Sequence, residues 1–211
     1  GSIQSAGVRL AHGEMSIDEV NDLGCRACAT AGGGCQFLGT AATSQVVVEA
    51  LGLTVPHAAL APSGEEVWRD MAVRSGRALM AMEATGITSN QILTDAALHN
   101  AMVTHAAFGG STNLILHIPA VAFAAGRRRP TVEDWDRVNR QVPRLVDVLP
   151  NGPEYHVTVR AFLAGGVPEV MLHLRRQGLL EEQALTATGQ TLGANLDWWE
   201  SSERRQLFRQ K

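Results

Sequence analysis

The sequence predicts a mainly α fold with a few short strands, and three observations carry that expectation. Helix-start signals recur ahead of apolar residues spaced three and four apart. Glycines stand where those runs should stop. Continuous or alternating apolar runs of strand length are rare, the clearest being Leu145-Val146-Asp147-Val148-Leu149. No internal repeat and no convincing linker interrupts the chain, so residues 1–211 are expected to form one compact segment, with Gly1-Ser2 reading as a cloning scar.

Thr40 is placed to cap a helix running through Gln45, Val46, Val47, Val48, Glu49 and Leu51 to Gly52. Ser63 and Glu66 form a Ser-x-x-Glu box ahead of Trp68, Met71, Ala72, Ser75, Leu79 and Met82, with Gly86 as the stop. Thr88 and Gln91 repeat the device before Ile92, Leu93, Ala96, Asn100 and Val103, a helix expected to end at Gly109-Gly110. Ser111 then caps a helix through Leu114, Ile115, Ile118 and Val121 to Gly126, kinked or broken early at Pro119.

Thr131 and Asp134 open a short helix with Trp135 and Val138, ended by Pro143. Residues 145–149 read as a strand, Pro150-Asn151-Gly152-Pro153 as a turn, and 155–163 as helix or strand. Pro168 suits the first turn of a helix through Val170, Met171 and Leu174 to Gly178. From Asn195 onward a frayed amphipathic helix is expected, with Trp198 and Trp199 facing a partner.

Composition narrows the function. With 45% hydrophobic residues and a formal net charge of −3, the chain is neither a nucleic-acid binder nor disordered. The Arg127-Arg128-Arg129 triplet beside Pro130 reads as a solvated helix end. No apolar run approaches the roughly 20 residues that cross a bilayer, so no membrane partner is expected. Three closely spaced cysteines make no disulfide framework, which points to an intracellular, cytoplasmic setting.

Those cysteines carry chemistry of another kind. Cys25, Cys28 and Cys35 offer three thiolates at Cys-x-x-Cys spacing plus seven, a set that suits a metal or a cluster with one open iron site. For Cys25 and Cys28, small packed residues are the plainer reading. Cys35 lies in the loop Gly32-Gly33-Gly34-Cys35 just ahead of a helix start, where partial positive charge favours an anionic ligand, a cluster, and the thiolate itself. Gly109-Gly110-Ser111-Thr112-Asn113 is a second candidate, either presenting amides to a carboxylate or phosphate or forming a tight helix-to-helix turn. His99, His105 and His117 read as packed or surface residues rather than ligands, because no carboxylate stands at metal-site spacing.

The run from Gly24 to Gln45 resembles the dihydroxy-acid, phosphogluconate and sugar-acid dehydratases, especially their xylonate-dehydratase-like branch. The likeness continues through Glu49-Ala50-Leu51-Gly52-Leu53-Thr54-Val55-Pro56, Phe108-Gly109-Gly110-Ser111-Thr112-Asn113 and Ala164-Gly165-Gly166-Val167-Pro168, in that order. The resemblance implies the helical portion of the family's α/β N-terminal domain. It also implies an iron–sulfur cluster and a divalent cation such as magnesium, a small sugar-acid substrate, a 2-keto-3-deoxy acid product and a homo-oligomer. Of the cysteines, only Cys35 matches the family-wide cluster ligand, which leaves Cys25 and Cys28 as packed neighbours on that basis.

Two family segments are not found in this sequence: the Cys-Asp-Lys motif and the later Thr-Asp-Gly-Arg-type motif near the family's catalytic serine. The chain therefore reads as an internal piece or truncated relative of a dehydratase, inactive by itself. A non-catalytic domain on the same scaffold, and a small metal or redox module built on Cys25 and Cys28, are the competing expectations.

Overall fold

The computed structural model describes residues 2–27, 37–148 and 156–209. Twelve helices stand among these residues and no strand, so the mainly α expectation holds; one isolated antiparallel bridge joins Leu185 to Thr191. Residues 145–148 are not the expected strand. They run beside the central helix, with the amides of Leu145 and Val146 both donating to the Ala107 carbonyl. One carbonyl serving two donors gives no repeating ladder, and no strand pairs with them among the described residues. Leu149 and the 150–153 turn lie outside the described residues.

At the centre is α6 (Asp95–Phe108), in which every residue from Ala97 to Phe108 except His99 is buried. A helix apolar all round needs cover on all sides. It is packed by α3 (Thr40–Ala50), α7 (Leu114–Ala124), α8 (Val132–Gln141) and α10 (Gly166–Arg176). Among its buried polar residues, Asn100 is matched in both directions: Nδ2 donates to the Glu181 carbonyl and Oδ1 accepts from the Glu181 amide, at 3.0 and 2.8 Å. Around α10 gather α9 (Thr158–Leu163) and α11 (Leu192–Ser201), and α11 contacts α12 (Glu203–Arg209). Arg205 fixes α12 to α10 with a two-pronged pair to Glu169 at 2.7 and 2.8 Å.

Several boundaries differ from expectation for identifiable reasons. The helix expected from Thr88 to Gly109 is two, α5 (Ser89–Ile92) and α6. Thr88 and Gln91 do form their capping box, but Thr94 caps a fresh start by accepting from the Ala97 amide. Arg127 makes the break tolerable by donating to the freed carbonyls of Leu93 and Asn90. Helix α4 (Glu66–Thr85) begins with Glu65 as its cap rather than Ser63, and Asn113 rather than Ser111 flanks α7, which continues through Pro119. The Thr131–Asp134 box and the Gly86 stop stand as expected.

Trp199 is a correction: it is fully buried, its Nε1 donating to Glu169, so it belongs to the core. Trp198 beside it is half exposed under the Arg74 guanidinium. The first two helices, α1 (Ser2–Ala11) and α2 (Ile17–Ala27), pack on each other. Their sequence signal is the Ser16–Glu19 box, whose reciprocal bonds are both present.

Candidate active site

Helix α3 brings together three stretches that are distant in sequence. Near its middle, Gln45 and Glu49, one turn apart, reach across to residues 57–60. Glu49 accepts the amides of His57, Ala58 and Ala59 at 2.7, 3.0 and 2.7 Å, and Gln45 accepts that of Leu60 at 2.9 Å. Four successive amides captured by one helix face explain why His57 and Leu60 can hold left-handed backbone, φ 62° and 68°, normally left to glycine. Burial pushes the Glu49 carboxyl up to about 7, against the pull of its three N–H donors.

His57 sits in the same knot. Its ring stacks on Phe162 at 4.2 Å and meets Trp199 and Phe208, Nε2 donates to the Phe162 carbonyl, and Nδ1 accepts from Arg204 Nε. Both nitrogens are committed as a neutral imidazole requires. Burial, with the nearby Arg204 and Arg74 charges, drops its value to about 3. The Gly165-Gly166 turn closes against it: a Cβ on Gly166 would lie 3.0 Å from the His57 ring, and both glycines have positive φ.

At the N-terminal end of α3 lies the 109–113 loop. Asn113 Nδ2 donates to Thr40 Oγ1 at 2.6 Å, the Ser111 amide donates to Thr43 Oγ1 at 3.1 Å, and Ser111 Oγ accepts from the Asn113 amide. His105, buried on α6, donates from Nε2 to the Ser111 carbonyl, which leaves Nδ1 as a buried acceptor without a partner among the described residues. Burial lowers its basicity as well. Gly110 is squeezed between these parts: a Cβ there would lie 2.6 Å from both the His105 ring and the Thr43 methyl.

The sequence offered Gly109, Gly110, Ser111, Thr112 and Asn113 either as an amide cradle or as a tight turn, and the geometry is that of the turn. The Gly109 and Gly110 amides donate to Ala106 and His105 carbonyls, and those of Ser111 and Asn113 to hydroxyls. Unbonded donors lie instead at the start of α3. Thr40 is its first residue rather than its cap, Gly39 offers no capping side chain, and no hydrogen bond is formed by the Thr40 or Ala41 amide among the described residues.

Of the cysteines, Cys28 and Cys35 lie outside the described residues, and Cys25 is placed only by its backbone in α2. Among the described residues no group of three or more His, Cys, Asp or Glu side chains could hold a metal ion, so the described part alone provides no ligand set for a cluster or magnesium. His99 Nε2 donates to the Leu179 carbonyl at 3.1 Å, as a packed residue would. The arginine triplet is fully employed: Arg127 on carbonyls, Arg128 on Asp134 at 2.7 Å, Arg129 over Phe123. Sequence reasoning gave no separate role to Glu49 or His57. The available signal was an acid inside the apolar run Val46-Val47-Val48-Glu49-Ala50 and a histidine straight after Pro56.

Residues 2–195 match the family model for the dihydroxy-acid/6-phosphogluconate dehydratase N-terminal region. The chain belongs to that dehydratase family. Among this dehydratase segment's relatives, D-xylonate dehydratase YagF of Escherichia coli (strain K12) is 66% identical over 210 residues, covering 100% of this chain and 32% of the relative. D-xylonate dehydratase YjhG of the same strain is 64% identical over the same span, also covering 100% of this chain and 32% of the relative. The dihydroxy-acid dehydratase of Pyrobaculum aerophilum is 40% identical over 168 residues, 80% of this chain and 29% of the relative. The chain thus spans about a third of the length of these relatives. No described helix is long and apolar enough to cross a membrane.

Proposed function

We propose that this chain is the cluster-side part of a hydro-lyase that converts an aldonic acid, xylonate being the foremost choice, to a 2-keto-3-deoxy acid. The substrate preference is supported by the gap between 66% identity to a D-xylonate dehydratase and 40% to a dihydroxy-acid dehydratase. The observation that carries the assignment of the site is the meeting of two separate family motifs at one end of α3, where Asn113 holds Thr40 and Ser111 holds Thr43. That end has amides unbonded among the described residues and the positive pole of a helix, which favour a negatively charged ligand.

Cys35, two residues ahead of Phe37, is the residue of this chain that would ligate an iron–sulfur cluster; Cys25 and Cys28 stand behind it as weaker candidates. When bound, the cluster supplies an iron that acts as Lewis acid toward the departing hydroxyl. The chain's own residues shape the rim. His105 and Thr43 clamp the 110–113 turn so that Ser111 and Asn113 border the α3 end, while Gly110 permits the close approach. Magnesium has no ligand set among the described residues, and the Cys-Asp-Lys motif is not in this sequence, so no step is assigned to it here. Action inside the cell on a small molecule, as a homo-oligomer, completes the reading.

The reading predicts that the 211 residues alone, reconstituted anaerobically with iron, sulfide and magnesium, form no 2-keto-3-deoxy acid from xylonate or gluconate, because metal, base and cluster contributions are strongly interdependent. The whole dehydratase carrying this segment should turn over xylonate. Turnover by the 211 residues at the rate of the whole enzyme would overturn the claim that they supply one side of the site.

A further inference from the structure

A cavity of about 440 Å³ opens between residues 145–148 and the α9–α10 pair, and it meets the α3 site only at Gly166. That volume lies within the range of small-molecule sites, roughly 300–1,000 Å³. Apolar side chains form most of its wall. Its polar members are Asp147, His156, Arg160, Glu169 and His173.

The charges on this wall are unequally satisfied. Glu169 is taken by the two-pronged Arg205 and by Trp199 Nε1 at 3.1 Å. Asp147 is also engaged. Arg160, by contrast, has one hydrogen-bond partner among the described residues, His156 Nδ1 at 3.1 Å, and no carboxylate. A guanidinium carries five donors in a planar fork suited to carboxylate or phosphate. His156 accepts from it at Nδ1, which places the ring proton on Nε2 as a further donor. His173 stands one turn beyond Glu169 on the same face of α10. Glu169 is neutralised by Arg205, whereas the Arg160 guanidinium meets no carboxylate among the described residues, so the cavity offers a free cation to an anion.

We infer that this cavity binds a small hydroxylated oxyanion, with the carboxylate or phosphate on Arg160 and the hydroxyls toward His156 and His173. The inference is independent of the reaction assigned to the α3 end, which involves none of these residues.

Isothermal titration of the 211-residue chain with sodium xylonate, inorganic phosphate and xylitol tests it. Saturable binding of at least one anion is expected, with xylitol at least tenfold weaker. Arg160→Met should weaken anion binding tenfold or more without moving the thermal midpoint, since Arg160 is exposed. His173→Phe should weaken xylonate more than phosphate. Phosphate binding as tightly as xylonate would assign the site to the oxyanion alone, and tighter xylonate to the hydroxy acid; both outcomes keep the anion site. Absence of saturable binding by either anion, xylitol binding as well as xylonate, or unchanged affinity in Arg160→Met would overturn it. Loss of binding in Asn113→Ala with Arg160→Met unaffected would place the anion at the α3 end instead, sinking this inference while leaving the dehydratase reading intact.

Discussion

Helices α4 and α6 make opposite use of apolar residues. From Ala97 to Phe108, α6 buries everything but His99, and four helices share the work of covering it. Over its twenty residues α4 buries Met71 alone, while Val73, Leu79 and Met80 stand 53%, 67% and 71% exposed. The three- and four-residue spacing from Trp68 to Met82 reads as a core face, yet Trp68, Met71, Ala72 and Ser75 line an apolar groove of about 450 Å³ against α3. A periodic stripe therefore records that a face is built to be covered, without recording by what.

The sharpest way to break this comparison is to truncate one side chain on each helix. Phe108→Ala on α6 removes a ring with no exposure and should cost about 3–5 kcal/mol in urea unfolding. Leu79→Ala on α4 should change stability by less than about 0.5 kcal/mol. Similar costs at the two positions would mean that α4 is packed after all.

Second in size is Glu49→Gln. The new amide NH2 must face at least one N–H among three donors that now meet carboxylate oxygens, a buried mismatch of about 1–3 kcal/mol. The loss should be accompanied by faster amide exchange at residues 57–59. A stable variant with unchanged exchange would show that the left-handed turn is held by other contacts.

What was legible in the sequence follows the same division. The Thr88–Gln91 and Thr131–Asp134 boxes and the Gly86 stop depend on neighbours within four residues, and each is found in place. The break at Leu93-Thr94 depends on Arg127, more than thirty residues away, and a one-dimensional period cannot contain it. Burial of Trp199 likewise depends on Glu169 and His57, which its own amphipathic segment does not report. The motifs drew attention to the start of α3 and to the 109–113 loop, which hydrogen bonds bring side by side. That the loop amides turn inward, and that Thr43 and His105 clamp it, needed three dimensions.

The buried histidines and Glu49 set a pH dependence of smaller amplitude. His57 holds a value of about 3 when folded, so below about 6.5 the unfolded chain gains a proton that the folded one refuses, costing about 1.4 kcal/mol per pH unit down to that value. Glu49, raised to about 7, acts in the other direction, since from about 4.5 to 7 the folded chain keeps a proton that the unfolded one has lost. The two oppose each other between about 4.5 and 6.5. Stability should change little there and drop steeply below 4.5, with His105 adding to the acid loss. In Glu49→Gln the flat region should tilt, stability rising with pH. Urea midpoints from pH 3.5 to 8 read this directly, and stability that grows on acidification below 4.5 would contradict it.

The smallest effect on stability carries the most information about α4. Leu79→Glu with Met80→Glu should leave the unfolding midpoint within about 0.5 kcal/mol while reducing self-association in sedimentation. A wild-type chain that stays monomeric at high concentration, without binding a hydrophobic dye, would remove the reason for regarding that face as one awaiting cover.

The central claim, that this segment holds cluster iron beside the α3 end through Cys35, is tested most directly by iron and sulfide analysis of the whole dehydratase carrying Cys35→Ser. A hydroxyl is a poor substitute for thiolate at iron, so cluster absorbance, inorganic sulfide and xylonate dehydration should be lost together, whereas Cys25→Ser should retain most of the cluster. Full iron and sulfide in Cys35→Ser would take Cys35 out of the ligand set and contradict the account.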